Sequence, residues 1–262
     1  ISYLEDDGLV FQKNIRKAGA QNIISFNPLP SGSASYNSHS GFHPFSKTDI
    51  IGHLLKPMAS LGLNVNAASH YPEIYLSKDD KESADKYLKE EGLLQNVNEK
   101  ILAIHPGSGS KIKNWPIEKY VETIGCLLNQ PLLRIIVVYG PADEHAMSIL
   151  SENIPNDRIN IVKDFSLNSL AAILERASCF LGNDGGISHI AAAVGTSSVL
   201  IYGPTDPDIW APKGGNVRII RGDISCPPCH LKGGNDCENR KCLESISVDT
   251  VVKQVKTVIG KQ

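Results

Sequence analysis

No stretch of this sequence approaches the roughly 20 consecutive apolar residues that span a bilayer, and no secretory-type apolar segment opens it. The expected compartment is therefore the cytoplasm. Neither sign of charge predominates. The chain has 26 Lys+Arg against 28 Asp+Glu, a formal net charge of −2, which excludes a global electrostatic attraction to nucleic acid. Several grips on common ligands are missing. There is no G-x-x-x-x-G-K-[ST] loop, and no G-x-G-x-x-G behind a strand with an acidic residue beyond it. There is no G-x-S-x-G elbow and no H-E-x-x-H pair, so the serine-hydrolase and zincin signatures are absent too. No internal repeat or heptad array is visible. An initiator Met is also lacking: the chain starts "ISYLEDDGLVFQ", inside a pattern, and an N-terminal part of the natural protein is expected to be missing.

What is present is an ordinary globular composition, 41% hydrophobic and 21% charged over 262 residues, enough for one large domain or two smaller ones. From about residue 99 short apolar runs alternate with helical patterns. "ILAIH" (101–105), "RIIVVYG" (134–140), "INIV" (159–162), "SCFLG" (178–182), "SSVLIYG" (197–203) and "VRIIRG" (217–222) read as strands. Between them the patterns predict helices over 116–128 and 142–152, one capped by Ser166, one after "NDGG", and a docked amphipathic helix over 248–259. Fully apolar strands alternating with helices imply parallel βαβ units in a doubly wound sheet. Residues 1–95 differ. Helical patterns occur near 5–18, 48–61 and 79–91, strands are limited to "NIISF" and "EIYL", and "NPLPSGSASYNSHSGFHPF" (27–45) is loop-like. This part reads as the remainder of a second α/β domain.

In a parallel open sheet, ligands bind beyond the carboxyl ends of the strands. Four strands end in Gly-containing loops: "HPGSGSKIKNWP" (105–116), "GPADE" (140–144), "NDGGISH" (183–189) and "GPTDPDIWAP" (203–212). In the first, Ser108 and Gly109 offer backbone N–H groups and little bulk, with Lys111 and Lys113 close behind. In the third, Gly185 and Gly186 open the start of a helix, where unpaired N–H groups and a partial positive charge attract phosphate. Asp184 either caps that helix or holds hydroxyls of a ligand. His189, in the first turn or so, can donate to an oxyanion or simply pack. Glu144 either takes ribose hydroxyls at the rim of a nucleotide crevice or is a first-turn acid favoured by the dipole. Taken together the loops point to a nucleotide diphosphate.

In order and spacing these four loops, with Trp115 and Trp210 in place, resemble the carboxyl-terminal half of the heptosyltransferases, glycosyltransferase family 9. More weakly, "IYLSKDDKESADKYL" (74–88) is similar to the end of that family's amino-terminal domain. The resemblance implies a GT-B architecture of two Rossmann-like domains: residues 1–95 as an incomplete acceptor-side domain and 99–262 as the donor-binding domain. It implies inverting, metal-independent transfer of a heptose or related sugar from a nucleotide diphosphate sugar, ADP-heptose above all, to a lipopolysaccharide-core-type acceptor. It gives Ser108, Gly109 and Lys113 to the diphosphate, Glu144 to the nucleoside, and Asp184, Gly185, Gly186 and His189 to the donor phosphates and sugar. The family often has Thr where Gly185 stands. The family's catalytic base lies near a glycine-rich loop with no counterpart here, so no catalytic residue is assigned in this chain. No cofactor is required. The expected partners are the donor and a lipid-linked glycan at the cytoplasmic membrane surface, with no nucleic acid and a monomeric state.

Cys126 and Cys179 fall in helix and strand patterns and read as core thiols. Cys226, Cys229, Cys237 and Cys242 have the spacing C-x2-C-x7-C-x4-C, which admits tetrahedral metal but over a shorter linker than ordinary zinc ribbons. No metal is assigned to them, and free thiols or disulfides are preferred. Two further readings compete: a non-hydrolysing nucleotide-sugar epimerase of the same architecture, and a binding protein stabilised by metal at the cysteine cluster.

Overall fold

The structure is a computed structural model and describes residues 16–17, 49–63, 71–93, 96–155, 157, 159–223 and 240–260. The chain divides into two compact units, one of residues 1–70 with 208–210, the other of 71–207 with 211–262. In the smaller unit, α1 (Ile50–Ser60) fulfils the expectation for 48–61. Its N-cap Asp49 accepts the Gly52 N–H at 2.8 Å. Of the helix expected near 5–18 only Arg16 and Lys17 are described, both helical, and "NIISF" lies outside the described residues.

The larger unit begins with α2 (Lys78–Glu90), started by a capping box in which Ser77 and Asp80 satisfy each other's backbone N–H. The chain order then runs β1 (Lys100–His105), α3 (Ile117–Leu127), β2 (Leu133–Val138), α4 (Glu144–Asn153), β3 (Asn160–Val162), α5 (Leu167–Glu175), β4 (Cys179–Asn183), α6 (Gly186–Ala193), β5 (Ser198–Tyr202), the single turn α7 (Pro207–Trp210), whose residues 208–210 are those grouped with the smaller unit, then β6 (Val217–Arg221), α8 (Lys241–Glu244) and α9 (Val248–Ile259). All six strands are parallel, in the order β3-β2-β1-β4-β5-β6. This is the doubly wound architecture read from the sequence.

Alternate strand residues serve opposite faces. Leu102, Ile104, Ile135, Val137, Leu181, Val199 and Ile201 join one core cluster with Tyr120, Ile124 and Leu127 of α3, Met147 and Leu150 of α4, and Val251, Val255 and Val258 of α9. α6 packs on the sheet at β4 and β5, and α2 docks on α5. Inside the cluster, Trp115 and Tyr120 meet edge to face, 5.1 Å between ring centres. Each such buried side chain contributes about 2 kcal/mol of transfer free energy. α2 is fixed to α5 by polar contacts: Arg176 Nε and Nη2 donate to Asp85 Oδ1 and Oδ2 at 2.6 and 3.1 Å, and Lys81 reaches Glu175 at 2.8 Å. Residues 71–93, expected with the amino-terminal part, therefore pack with the parallel sheet.

Three local expectations are corrected. "EIYL" forms no strand: the Ile74 N–H makes a backbone bond to the Ala193 carbonyl beyond any ladder, and Tyr75 is exposed. Cys126 is exposed rather than a core thiol, because Tyr120, Thr123, Ile124 and Leu127 define the inward stripe of α3 and position 126 falls off it; Cys179 is buried as expected. The helix expected from 142 is preceded by a 3-10 turn, Pro141–Asp143, held by the Gly140 N–H donating to Asp143 Oδ2 at 2.9 Å.

Candidate functional site

The strand order reverses between β1 and β4, which pair side by side. Connections leave in opposite directions at such a switch point and open a crevice beyond the carboxyl ends. The two loops singled out for phosphate, 106–113 and 184–189, are the ones that follow β1 and β4.

Asn183, the last residue of β4, ties them together. It is 1% exposed. Its Nδ2 donates to the Pro106 carbonyl at 2.7 Å and the Gly107 carbonyl at 3.3 Å. Its Oδ1 accepts the Trp115 N–H at 3.0 Å and the Tyr120 hydroxyl at 3.1 Å. Its own carbonyl accepts the Ser188 hydroxyl at 2.5 Å. Burial pushes the Tyr120 phenol upward, opposed by the Asn183 bond, so it stays a neutral donor. One residue thus holds both ends of the first loop through its side-chain amide and the first turn of α6 through its carbonyl.

Lys113, in the 3-10 turn Lys111–Lys113, crosses the crevice to Asp184, Nζ to Oδ2 2.8 Å. Thr205 Oγ1, from the loop after β5, donates to the same oxygen at 2.7 Å. Asp184 is buried, and it helps burial raise the neighbouring Tyr202 phenol. An ammonium has three donors. The ion pair with Asp184 holds this flexible side chain in place.

Asp184 does not cap α6. The N-cap is Gly185, in extended conformation, with no side-chain cap bond. Gly185 lies against the first loop: a Cβ there would stand 3.4 Å from the Ser108 Cβ. Gly186 is exposed, and a Cβ on it or on Gly109 would meet nothing within 4 Å. The helix start and the first loop are therefore neighbours on an open rim. Ser108 is bound inside its loop, its Oγ 2.6 Å from Asn114 Oδ1 and accepting the Ser110 N–H at 3.2 Å. It shapes the loop as well as lining it. His189, the fourth residue of α6, is half-buried.

Glu144 stands exposed at the start of α4, beyond the carboxyl end of β2. The structure brings Ser108, Lys113, Asp184 and Gly185 together directly; Glu144 shares their edge of the sheet without a described contact to them. Sequence reading missed Asn183, Thr205 and the pair His105–Asp143. Asn183 was legible only as a polar residue ending an apolar strand. Among the described residues no group of three or more metal-ligating side chains is close enough to hold a metal. Of the cysteine cluster only Cys242, half-buried on α8, lies within them. Nor, among the described residues, is any helix long and apolar enough to cross a membrane.

Comparison with known proteins agrees with this architecture. A family model described as glycosyltransferase family 9 (heptosyltransferase) matches residues 45–237. Lipopolysaccharide heptosyltransferase 1 of Campylobacter coli is 27% identical over 212 residues, covering 77% of this chain and 60% of that protein. The chain thus spans less than two thirds of that relative. The crystal structure of the glycosyl transferase family 9 from Veillonella parvula superposes with a TM-score of 0.69 at 20% identity, over 79% of this chain and 59% of that one. Escherichia coli heptosyltransferase WaaC with ADP gives 0.51 at 23% identity, over 67% and 48%. On the family match, which covers most of its length, this chain belongs to glycosyltransferase family 9.

Proposed function

We propose that this chain carries the donor half of an inverting heptosyltransferase, which takes heptose from ADP-heptose and passes it to a lipopolysaccharide-core-type acceptor at the cytoplasmic face of the membrane. The observation that carries the reading is Lys113 standing beside the N-terminus of α6 at the switch point, with the Ser108 loop packed against Gly185. When an acceptor hydroxyl attacks the anomeric carbon in line, the sugar–phosphate bond breaks and negative charge collects on the departing diphosphate. Fixed donors aimed at that charge stabilise it. Lys113 supplies N–H groups and a full charge, and the first amides of α6 supply a partial one. These groups suit leaving-group stabilisation by the protein itself, and ADP binding in excess EDTA is the expected behaviour. The nucleoside would extend toward Glu144. Asp184 acts in this scheme by orienting Lys113. The similarity to lipopolysaccharide heptosyltransferases, one of them solved with ADP, favours this donor and acceptor.

The test is ligand-induced stabilisation. A ligand that binds only the folded state raises Tm by mass action. ADP is expected to raise Tm more than UDP or GDP, and Lys113→Ala to abolish the shift, whereas Lys253→Ala on the exposed face of α9 leaves it intact. Equal shifts with all three diphosphates would overturn the adenine assignment; none with any of them would overturn the site.

A further inference from the structure

A buried pair outside this set of residues joins two of the donor loops. His105 is the last residue of β1, and Asp143 closes the 3-10 turn after β2. His105 Nε2 lies 3.2 Å from Asp143 Oδ2, with both residues buried. The same carboxylate oxygen accepts the Gly140 N–H at 2.9 Å. Burial pushes the Asp143 carboxyl up, but the hydrogen bond and charge of His105 and the Gly140 amide outweigh it and hold the group below the usual carboxylate range. An ionised carboxylate only accepts, so Nε2 of His105 bears the shared proton. The other oxygen, Oδ1, is seated on Gly107: a Cβ at that position would fall 1.6 Å from it. Asp143 is therefore a wedge between the end of β1 and the start of the phosphate loop.

The neighbours in sequence give this wedge its meaning. Gly107 immediately precedes Ser108, and Asp143 immediately precedes Glu144. We propose that His105 and Asp143 are a positioning pair that sets the gap between the diphosphate loop and the nucleoside-side helix α4, so that one nucleoside diphosphate is gripped at both ends together. The inference rests on the donor-site reading above. A ligand that spans both loops depends on their spacing, and a small misplacement is enough to lose affinity. A ligand confined to one loop does not depend on it.

The experiment is calorimetric titration of ADP and of inorganic pyrophosphate into wild type, His105→Ala, His105→Gln and Gly107→Ala. For His105→Ala the Kd for ADP rises about tenfold while that for pyrophosphate stays within about twofold. His105→Gln, whose amide N–H can stand in for Nε2–H, keeps ADP affinity near wild type. Gly107→Ala reproduces the selective ADP loss by displacing the wedge, and adds nothing further in an Asp143→Ala background, because the atom it collides with is gone. Parallel weakening of both ligands, or unchanged ADP affinity in His105→Ala, overturns the pair's role while wild-type ADP binding upholds the site. Absence of ADP binding by wild type overturns the site and the pair with it.

Discussion

Lys113 Nζ and Asp184 Oδ2 stand 2.8 Å apart across the point where the strand order reverses. The pair joins the loop after β1 to the loop after β4, and Thr205 adds a hydroxyl donor to the same carboxylate oxygen from the loop after β5. A carboxylate beside the proposed diphosphate site would be repulsive if left alone. Paired with Lys113, it becomes a means of holding the ammonium ready.

That arrangement makes the two side chains interdependent. Lys113→Met strips a mostly buried carboxylate of its counter-charge and is expected to cost about 2 kcal/mol. Lys113→Met with Asp184→Asn recovers most of the loss, since the remaining amide needs no counter-ion. Urea denaturation of the two single variants and the double variant measures the coupling. Additive losses would show that the pair is not a unit.

Asn183 has a larger structural duty. Asn183→Ala leaves the Trp115 N–H, the Tyr120 hydroxyl and the Pro106 carbonyl without their described side-chain partner. At about 1–3 kcal/mol for each buried group left unsatisfied, partly offset by entering water, the expected loss is about 3 kcal/mol, or roughly 10 °C in Tm. Differential scanning calorimetry checks it.

The dock of α2 on α5 is pH-sensitive in a defined direction. The Arg176 bonds to Asp85 hold its carboxyl below the ordinary value of 3.8, against a smaller opposing effect of burial. A group depressed on folding contributes stability above its unfolded pKa and loses it as pH falls through the folded one. The Tm difference between wild type and Asp85→Asn is therefore full at neutral pH and closes below about pH 4, and it corresponds to at most about 1 kcal/mol because Asp85 is partly exposed. A difference that grows on acidification would contradict the ion pair's contribution.

Thr123 offers a test of the opposite sign. Its side chain is fully buried on α3 and its hydroxyl has no hydrogen-bond partner among the described residues. Thr123→Val removes the unpaired group at nearly constant volume and is expected to stabilise the protein by about 1 kcal/mol. Chemical denaturation with an unchanged m-value would confirm that only stability moved.

The sheet was readable from sequence because the inner strands β2, β1, β4 and β5 are short apolar runs buried along almost their whole length, whereas the edge strands β3 and β6 leave Ile161 and Ile219 exposed. The same logic placed α9 over 248–259, where Val248, Val251, Val255 and Ile259 recur at helical spacing. "EIYL" misled because alternation alone cannot supply a neighbouring strand. Cys126 misled because a thiol's apolar character says nothing about its angle on the helix. At the site, glycine-rich loops after apolar strands located Ser108, Lys113 and Gly185, since the βαβ rule places every such loop on one edge. The partners of Asn183 and the pairing of His105 with Asp143 were not legible. Their roles arise from contacts between segments far apart in sequence, and no spacing rule encodes which carbonyl an asparagine will meet.

The central claim is that the loops after β1 and β4 together grasp one diphosphate. Backbone amide NMR during titration with ADP tests it most directly. The account predicts that the largest shifts fall on Ser108, Gly109, Gly185 and Gly186 and saturate with a single Kd. Shifts confined to one of the two loops, or centred elsewhere on the sheet, would contradict it.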